Sequence, residues 1–467
     1  MSTPPTRGTM TRRQALRTTA FAAAGLAIAA CAPPSGGVAQ PSGANQAAGG
    51  SAAQPTSAPA ASGAAAAGGA TGNLTGTVSF WHLNTGPVEG FGNAARRLEA
   101  QYPGVKVDIQ SLQNDPFKTK LNVAMGSDSP PDVWNTWGGG VLGNFARSGA
   151  ALDLSGEVEK NGWKDRLVAA PLEMVKVDGK IYAIPVYVSG VFFFYNKELL
   201  QSNNLTPPKT WDEMLKFIDD AKSKGLTPIG LANKTRWPGA FYLNYLVDRI
   251  NGPDFLSKVL AGQASFNDPG VVEAGRRMQE LAKAGAFPEG FNGLDYDTGG
   301  SRQLMYAGKT ALELQTSSYP ATTAGEMKGF EQKLDFAPFP ALPNGKGQPN
   351  GLLGGMIGFA VAQKTKARDA SVELLRFLTD DTARDAYIQN GRVPSVKGGE
   401  ITDPLTKKTA DMISGASSFQ NYWDQALPPE LGQEQLDVSQ ALLGGSISPE
   451  AAAQRLDDVA KKVVQKP

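Results

Sequence analysis

From Ala32 to Gly72 the chain is nearly all Ala, Gly, Ser, Pro and Thr, interrupted only by Val38, Gln40, Asn45, Gln46 and Gln54. No other stretch constrains the fold more. It carries too little apolar surface to offset the entropy of ordering it, so it divides the chain into parts that must be read separately. As a flexible coil it would span roughly 35 Å root-mean-square, which describes a tether rather than a domain. Folding is expected to begin after it, at Asn73. About 395 residues remain from there. That is more than one hydrophobic core usually serves, so two domains are expected.

The segment before the tether reads as an export signal. Arg7, Arg12, Arg13 and Arg17 precede an uncharged stretch from Thr18 to Ala30, and no acidic residue occurs before Glu89. Roughly 13 apolar residues are too few to cross a bilayer as a helix but suit a signal peptide. Ile28-Ala29-Ala30-Cys31 resembles a bacterial lipobox, in which cleavage exposes the cysteine and its sulfur is lipidated, so residues 1–31 are assigned to the signal and residues 32–72 to the tether. Thr11-Arg12-Arg13 resembles a twin-arginine signal, although Ala15 stands where that motif prefers a large apolar residue. The expected location is extracytoplasmic, anchored by lipid to the outer face of the cell membrane, or without the anchor if Cys31 is incidental.

Composition then removes several classes. Taking the four signal arginines from the 45 basic residues leaves 41 against 44 acidic ones, a net of about −3. That gives no electrostatic basis for nucleic-acid binding. The single cysteine, assigned to lipid, leaves none for disulfides or thiolate metal sites, and one histidine, His82, makes neither a His-rich metal site nor a triad without a nucleophile. No Gly-x-Ser-x-Gly turn occurs. Neither a cofactor nor a metal is expected.

The remaining pattern alternates strands and helices and predicts an α/β fold. Thr77–Trp81, Val105–Ile109 and Asp132–Trp134 read as strands. Ile181–Tyr195 is β-rich, and Val191–Tyr195 is apolar on both faces, as in a buried strand. Helices are expected at 90–101, 117–125, 238–251, 268–284, 298–307, 367–380 and 449–464. Thr210 with Glu213 forms a capping box that opens another, to Ala221. The stretch 337–355 is rich in Pro and Gly and gives way to a strand at 357–362.

An ordered set of landmarks runs through the body: Phe80-Trp81-His82, Tyr102–Val107, Pro131-Asp132-Val133, Gly179–Pro185, Phe194–Leu200, Pro208–Glu213, Gly308–Leu312 and Gly354-Gly355. In this order, behind a lipoprotein-type signal, the set resembles the family-1 extracellular solute-binding proteins of ABC importers, the carbohydrate-type, maltose-binding-protein-like group. The resemblance covers nearly all of 73–467. It implies a two-lobed periplasmic-binding-protein fold with interleaved chain segments and a hinge between the lobes. Residues 73–190 plus 336–380 are assigned to one lobe and 191–335 plus 381–467 to the other, with hinge strands near Val188–Phe193 and Leu334–Ala337. It also implies a monomer that is not an enzyme, which passes its ligand to the transmembrane subunits of an ABC permease. A sensor feeding a membrane kinase is not separable from this by sequence.

A sugar site needs flat aromatic rings for the C–H faces and polar groups for the hydroxyl rim. Among seven tryptophans and eleven tyrosines, the resemblance and the strand ends point to Trp81 and Asn84, then Asn135 and Trp137, then Tyr187. Gly138–Gly140 reads as a loop whose backbone could approach a ligand. In the second lobe the candidates are Trp237, Ser318, Tyr319 and Trp423, with Tyr319 standing in for a tryptophan the family often carries there. Gly355 and Met356 could line the cleft through backbone groups. Trp211 reads as a structural staple, Trp163 as a surface-loop anchor, Tyr195 and Phe192–Phe194 as core, and His82 as a strand-end residue near the cleft mouth. Two alternatives remain: a surface glycan hydrolase with a carboxylate pair, or a non-sugar ligand such as a polyamine or phosphate ester. For an anionic ligand Lys234, Arg236 and Arg302 are available.

Overall fold

The strand Ile184–Asn196 has no exposed side chain along its whole length, and it organises the molecule. The structure, a computed structural model, describes residues 73–84, 89–127 and 129–464; Cys31 and the segments read as signal and tether lie outside them. Ten strands form one mixed sheet: β1 (Thr75–Leu83), β2 (Gly104–Leu112), β3 (Val133–Thr136), β4 (Ile184–Asn196), β5 (Thr227–Gly230), β6 (Thr310–Thr316), β7 (Leu334–Ala337), β8 (Leu352–Val361), β9 (Val393–Pro394) and β10 (Phe419–Asn421). The main path runs β2-β1-β3-β8-β4-β6-β5, with β7 and β9 paired to β4 and β10 paired to β8. The helices that matter for the site are α1 (Glu89–Gln101), α2 (Asn114–Met125), α3 (Gly139–Arg147), α4 (Trp211–Ser223), α5 (Trp237–Asn251) and α6 (Trp423–Ala426). Among the described residues no helix is long and apolar enough to cross a membrane.

The sheet is continuous but its cores are not. Ile184, Val186, Tyr187 and Val188 pack into the first core with Phe80, Phe91, Trp134 and Phe359. Three residues further along the same strand, Val191 and Phe193 belong to the second core with Trp211, Tyr242 and Leu312. Their neighbours Phe192 and Phe194, on the other face, pack with Phe336 and Leu352. Strand β8 makes the same passage in reverse, with Leu353 in the second core and Met356 in the first. The two strands pair antiparallel where they cross, Gly354 against Gly190 and Gly355 against Ser189. Two lobes therefore share a sheet whose middle carries the connections.

Helix formation follows apolar periodicity. In α1 the positions i, i+3, i+4 and i+7 are Phe91, Ala94, Ala95 and Leu98, all buried. They face the first core and the helices Arg368–Phe377 and Asp381–Gln389. Helix α4 starts with Thr210 as its N-cap, as expected: Glu213 N–H donates to Thr210 Oγ1 at 3.3 Å, while the Glu213 carboxylate reaches one residue beyond the N-cap to accept from Lys209 N–H at 2.7 Å.

Two chain assignments differ from expectation. Residues 336–353 belong with the second lobe, because β7 pairs with the Phe193–Asn196 end of β4 and Phe336, Phe339 and Leu353 lie in its cores. The wholly buried Arg249 of α5 ties the Pro/Gly-rich stretch down by donating to the carbonyls of Pro349 (3.2 Å) and Gly351 (2.9 Å) while pairing with Asp248 at 2.7 Å. The second passage between lobes is thus at Leu353–Met356, not at 334–337. Conversely, residues 381–396 belong with the first lobe, since Ala383, Tyr387 and Val396 pack in its core. Trp163 is not a surface anchor either. It is buried, and its Nε1 donates to Thr379 Oγ1 at 2.8 Å.

Candidate functional site

Where the two cores part, the strand ends and helix starts enclose a cavity of about 470 Å³. Its first wall comes from the first lobe. Asn84 follows β1, Trp137 follows β3, and Lys118 projects from α2. Trp137 is fixed edge-on against Phe117 (5.9 Å between centroids, 79°), and Lys118 Nζ lies 5.1 Å from its ring centre. The opposite wall comes from the second lobe, where Trp237, Tyr296, Phe241 and Tyr422 form a chain of aromatic contacts. The floor is the crossing itself, with Ser189, Tyr187, Gly355 and Met356.

Local backbone geometry positions Trp237. Its N–H donates to Thr235 O at 2.8 Å across Arg236, whose φ of 63° and ψ of −37° make a γ-turn that L-residues rarely adopt. Helix α5 starts immediately afterwards. Next to it, Arg302 forks onto Glu326 (Nε to Oε2 2.9 Å, Nη2 to Oε1 2.6 Å), lies 4.4 Å from the Tyr296 ring centre and donates to Tyr296 O. Burial works against the Glu326 charge, yet hydrogen bonds from Arg302 and Tyr306 outweigh it and hold that carboxyl below its ordinary range.

The charges in the cavity are mostly matched. Lys118 Nζ sits 2.8 Å from Asp424 Oδ2, an ion pair that joins the two lobes. Asp297 has no such partner among the described residues. Burial first, then the like charges of Asp115 and Asp295, push its carboxyl up to about 6, with Arg302 and Lys118 opposing. Among the described residues no group of His, Cys, Asp and Glu is arranged to hold a metal ion.

Of the residues singled out from sequence, Asn84, Trp137, Tyr187, Trp237, Ser318, Gly355 and Met356 line the cavity. Four do not. Trp81 points away, half-exposed, beneath Lys120, whose Nζ lies 4.6 Å from its ring centre. Asn135 is buried within the sheet, its amide without a partner. Tyr319 stacks on Phe194 and donates to the buried Glu313 at 2.9 Å. Trp423 is wholly buried against Phe266, and its neighbour Tyr422 faces the cavity instead. Gly138–Gly140 is not a ligand loop. Gly139 and Gly140 open α3 against the backbone of α6, where a Cβ would meet Gln425 O and Leu427 O, each at 2.5 Å. At Gly355 a Cβ would come within 2.4 Å of the Tyr422 ring, so this glycine makes room for that tyrosine. Arg302 reaches the cavity, whereas Lys234 and Arg236 pair with Asp295 (3.0 Å) and Asp437 (2.6 Å) outside it. His82 is half-buried between Phe80 and Phe91, with its Nδ1 2.8 Å from Leu83 O, and burial lowers its pKa.

Sequence reasoning missed Lys118, Tyr296, Asp297, Glu326, Tyr422 and Asp424. The only local signal was the Asn421-Tyr422-Trp423 segment, read one residue out of phase.

A family model described as bacterial extracellular solute-binding protein matches residues 84–385. An ABC transporter extracellular-binding protein of Pyrococcus horikoshii is 27% identical over 207 residues, 43% of this chain; the chain spans about half, 48%, of that relative's length. The multiple sugar-binding protein of Streptococcus mutans is 23% identical over 328 residues, covering 66% of this chain and 74% of that one. A structure solved in work on xylan utilization by the thermophilic bacterium Caldanaerobius polysaccharolyticus superposes with a TM-score of 0.76 at 27% identity, over 82% of this chain and 99% of that one.

Proposed function

The chain belongs to the bacterial extracellular solute-binding protein family, and from that premise we propose that it is a lipid-anchored carbohydrate receptor that captures a sugar or oligosaccharide between its lobes and delivers it to an ABC permease. One observation carries the ligand class: Trp137 and Trp237, one from each lobe, line the same cavity among amide, hydroxyl and charged groups. Flat rings on opposite walls suit the apolar faces of a pyranose, and the polar groups between them suit its hydroxyls. The volume is within the roughly 300–1,000 Å³ of small-molecule sites. The sugar-binding relative of Streptococcus and the xylan-related structure support the same class. The family is one of substrate-binding receptors rather than enzymes, so binding and closure, not bond cleavage, are the chemistry to be explained.

Closure uses the crossing strands. Rotation at Val188–Val191 and Leu353–Met356 brings Lys118 to Asp424 and buries the ligand from both sides. Cys31 and the tether at residues 32–72 keep a monomeric body near its permease while leaving the lobes free to move. A thermal-shift screen against neutral, amino and acidic sugars, polyamines and phosphate esters tests the ligand class. Mass action predicts about 2.7 kcal/mol of stabilisation by a true ligand at a hundredfold excess over its dissociation constant. A shift confined to non-sugars would overturn the carbohydrate reading and leave the family unchanged.

A further inference from the structure

The cavity has one carboxylate too many. Lys118 is matched by Asp424 and Arg302 by Glu326. Asp297 lines the same space, and its backbone N–H donates to Asp295 Oδ1 at 3.0 Å. Its own carboxylate has no hydrogen-bond or ion-pair partner among the described residues. Asp295, in the same loop, is satisfied by Lys234 at 3.0 Å. From the first lobe Asp115, in the first turn of α2, acts on Asp297 as a like charge, and it is flanked by the cavity-lining Asn114 and Lys118. Asp115 takes one hydrogen bond, from Asn114 Nδ2 at 3.2 Å, and burial raises its pKa although Lys118 and Arg236 draw it down. Arg302 and Lys118 are the cations that act on Asp297, and both are already committed.

Asp297 therefore lines the cavity without a cation of its own, and the like charge of Asp115 on the opposite lobe adds to the negative field there. A second observation also points to a ligand. Tyr187, 1% exposed, lines the cavity with a hydroxyl that has no hydrogen-bond partner among the described residues, and Trp237 Nε1 in the opposite wall also lacks one there. Buried polar groups of this kind are normally satisfied.

We propose that the cavity is built for a solute bearing a positively charged amino group that donates to Asp297, in the negative field of Asp115 on the opposite lobe, and that this solute is an amino sugar rather than a neutral one. The sugar half of this statement rests on the carbohydrate reading above. A neutral hydroxyl can donate to Asp297 but leaves both negative charges in place. An ammonium group donates charge-assisted hydrogen bonds, about twice as strong as neutral ones, and removes the repulsion that opposes closure.

The test is titration calorimetry on the full chain at pH 7.5 with three β-1,4-linked disaccharides of matched shape, the glucosamine dimer, its N,N′-diacetylated form and cellobiose, and with spermidine. The glucosamine dimer should bind about tenfold or more tighter than both neutral dimers. Asp297→Asn should bring the three to similar affinity, and Asp115→Asn, from the other lobe, should reduce the preference independently. Neutral dimers that bind as well as the amine, with affinities unchanged in both variants, would overturn the ammonium site and leave the carbohydrate reading standing. Spermidine binding without any sugar would overturn the amino-sugar assignment and the carbohydrate reading together. Binding of none of these probes would overturn the proposal.

Discussion

Lys118 Nζ and Asp424 Oδ2 lie 2.8 Å apart although one side chain springs from a helix of the first lobe and the other from a helix of the second. Both are mostly buried, at 26% and 12% exposure. Such a pair is screened less than a surface ion pair and exists only when the lobes are together. It is therefore a latch on closure rather than a fixture of either lobe.

Ligand affinity should register that latch. Lys118→Met and Asp424→Asn should each weaken binding, and the double variant should lose less than the sum, with a coupling of about 0.5–3 kcal/mol. Calorimetric affinities for the four proteins give the coupling directly. Additive losses would mean the pair does not act across the cleft in the bound state.

The tryptophans should separate into two kinds. Trp137→Ala and Trp237→Ala remove cavity walls and should cost about 1–3 kcal/mol of binding, in the manner of aromatic hot spots, with small changes in melting temperature. Trp423→Ala empties a wholly buried site and should cost about 3–5 kcal/mol of stability instead. Melting curves and titrations on the three variants distinguish the kinds. A Trp423 variant that melts normally but fails to bind would reverse the assignment.

Asp297 should make stability depend on pH in an unusual direction for a carboxylate. Its pKa is raised to about 6 from an ordinary 3.8, so between those values the folded chain holds a proton the unfolded chain has lost. The stabilisation is present on the acid side and is lost as pH rises through about 6. Asp297→Asn should therefore melt above the parent at pH 7.5 and close to it at pH 4.5, by scanning calorimetry. An equal difference at both pH values would remove the titration argument.

Cys31 bears on location and not on recognition. Cys31→Ser should leave sugar affinity unchanged and move the protein from the membrane fraction to the soluble fraction. Retention of the variant at the membrane would dispose of the lipid anchor.

Much of this architecture is visible in the chain because it is local. The buried run Val191–Phe194, the Thr210 N-cap with Glu213 and the aromatic residues that follow strand ends announce themselves within a few positions. Trp137, Tyr187 and Trp237 were legible for that reason. Trp423 was not, because a one-residue change of phase at the start of α6 turns Tyr422 to the cavity and Trp423 to the core. Residues 336–353 were misassigned because what holds them is Arg249, about a hundred positions away, and no periodicity reports such a contact. Asp297 and Asp115 lie still further apart in sequence. Asp115 acts on Asp297 as a like charge only because the chain crosses between lobes, so nothing in either segment signals it.

The most direct measurement is a crystal structure of the chain with the sugar that gives the largest thermal shift. The sugar ring should lie between Trp137 and Trp237, with contacts from both lobes and Lys118 paired with Asp424. A sugar bound outside this cavity, or held by one lobe alone with the pair broken, would contradict it.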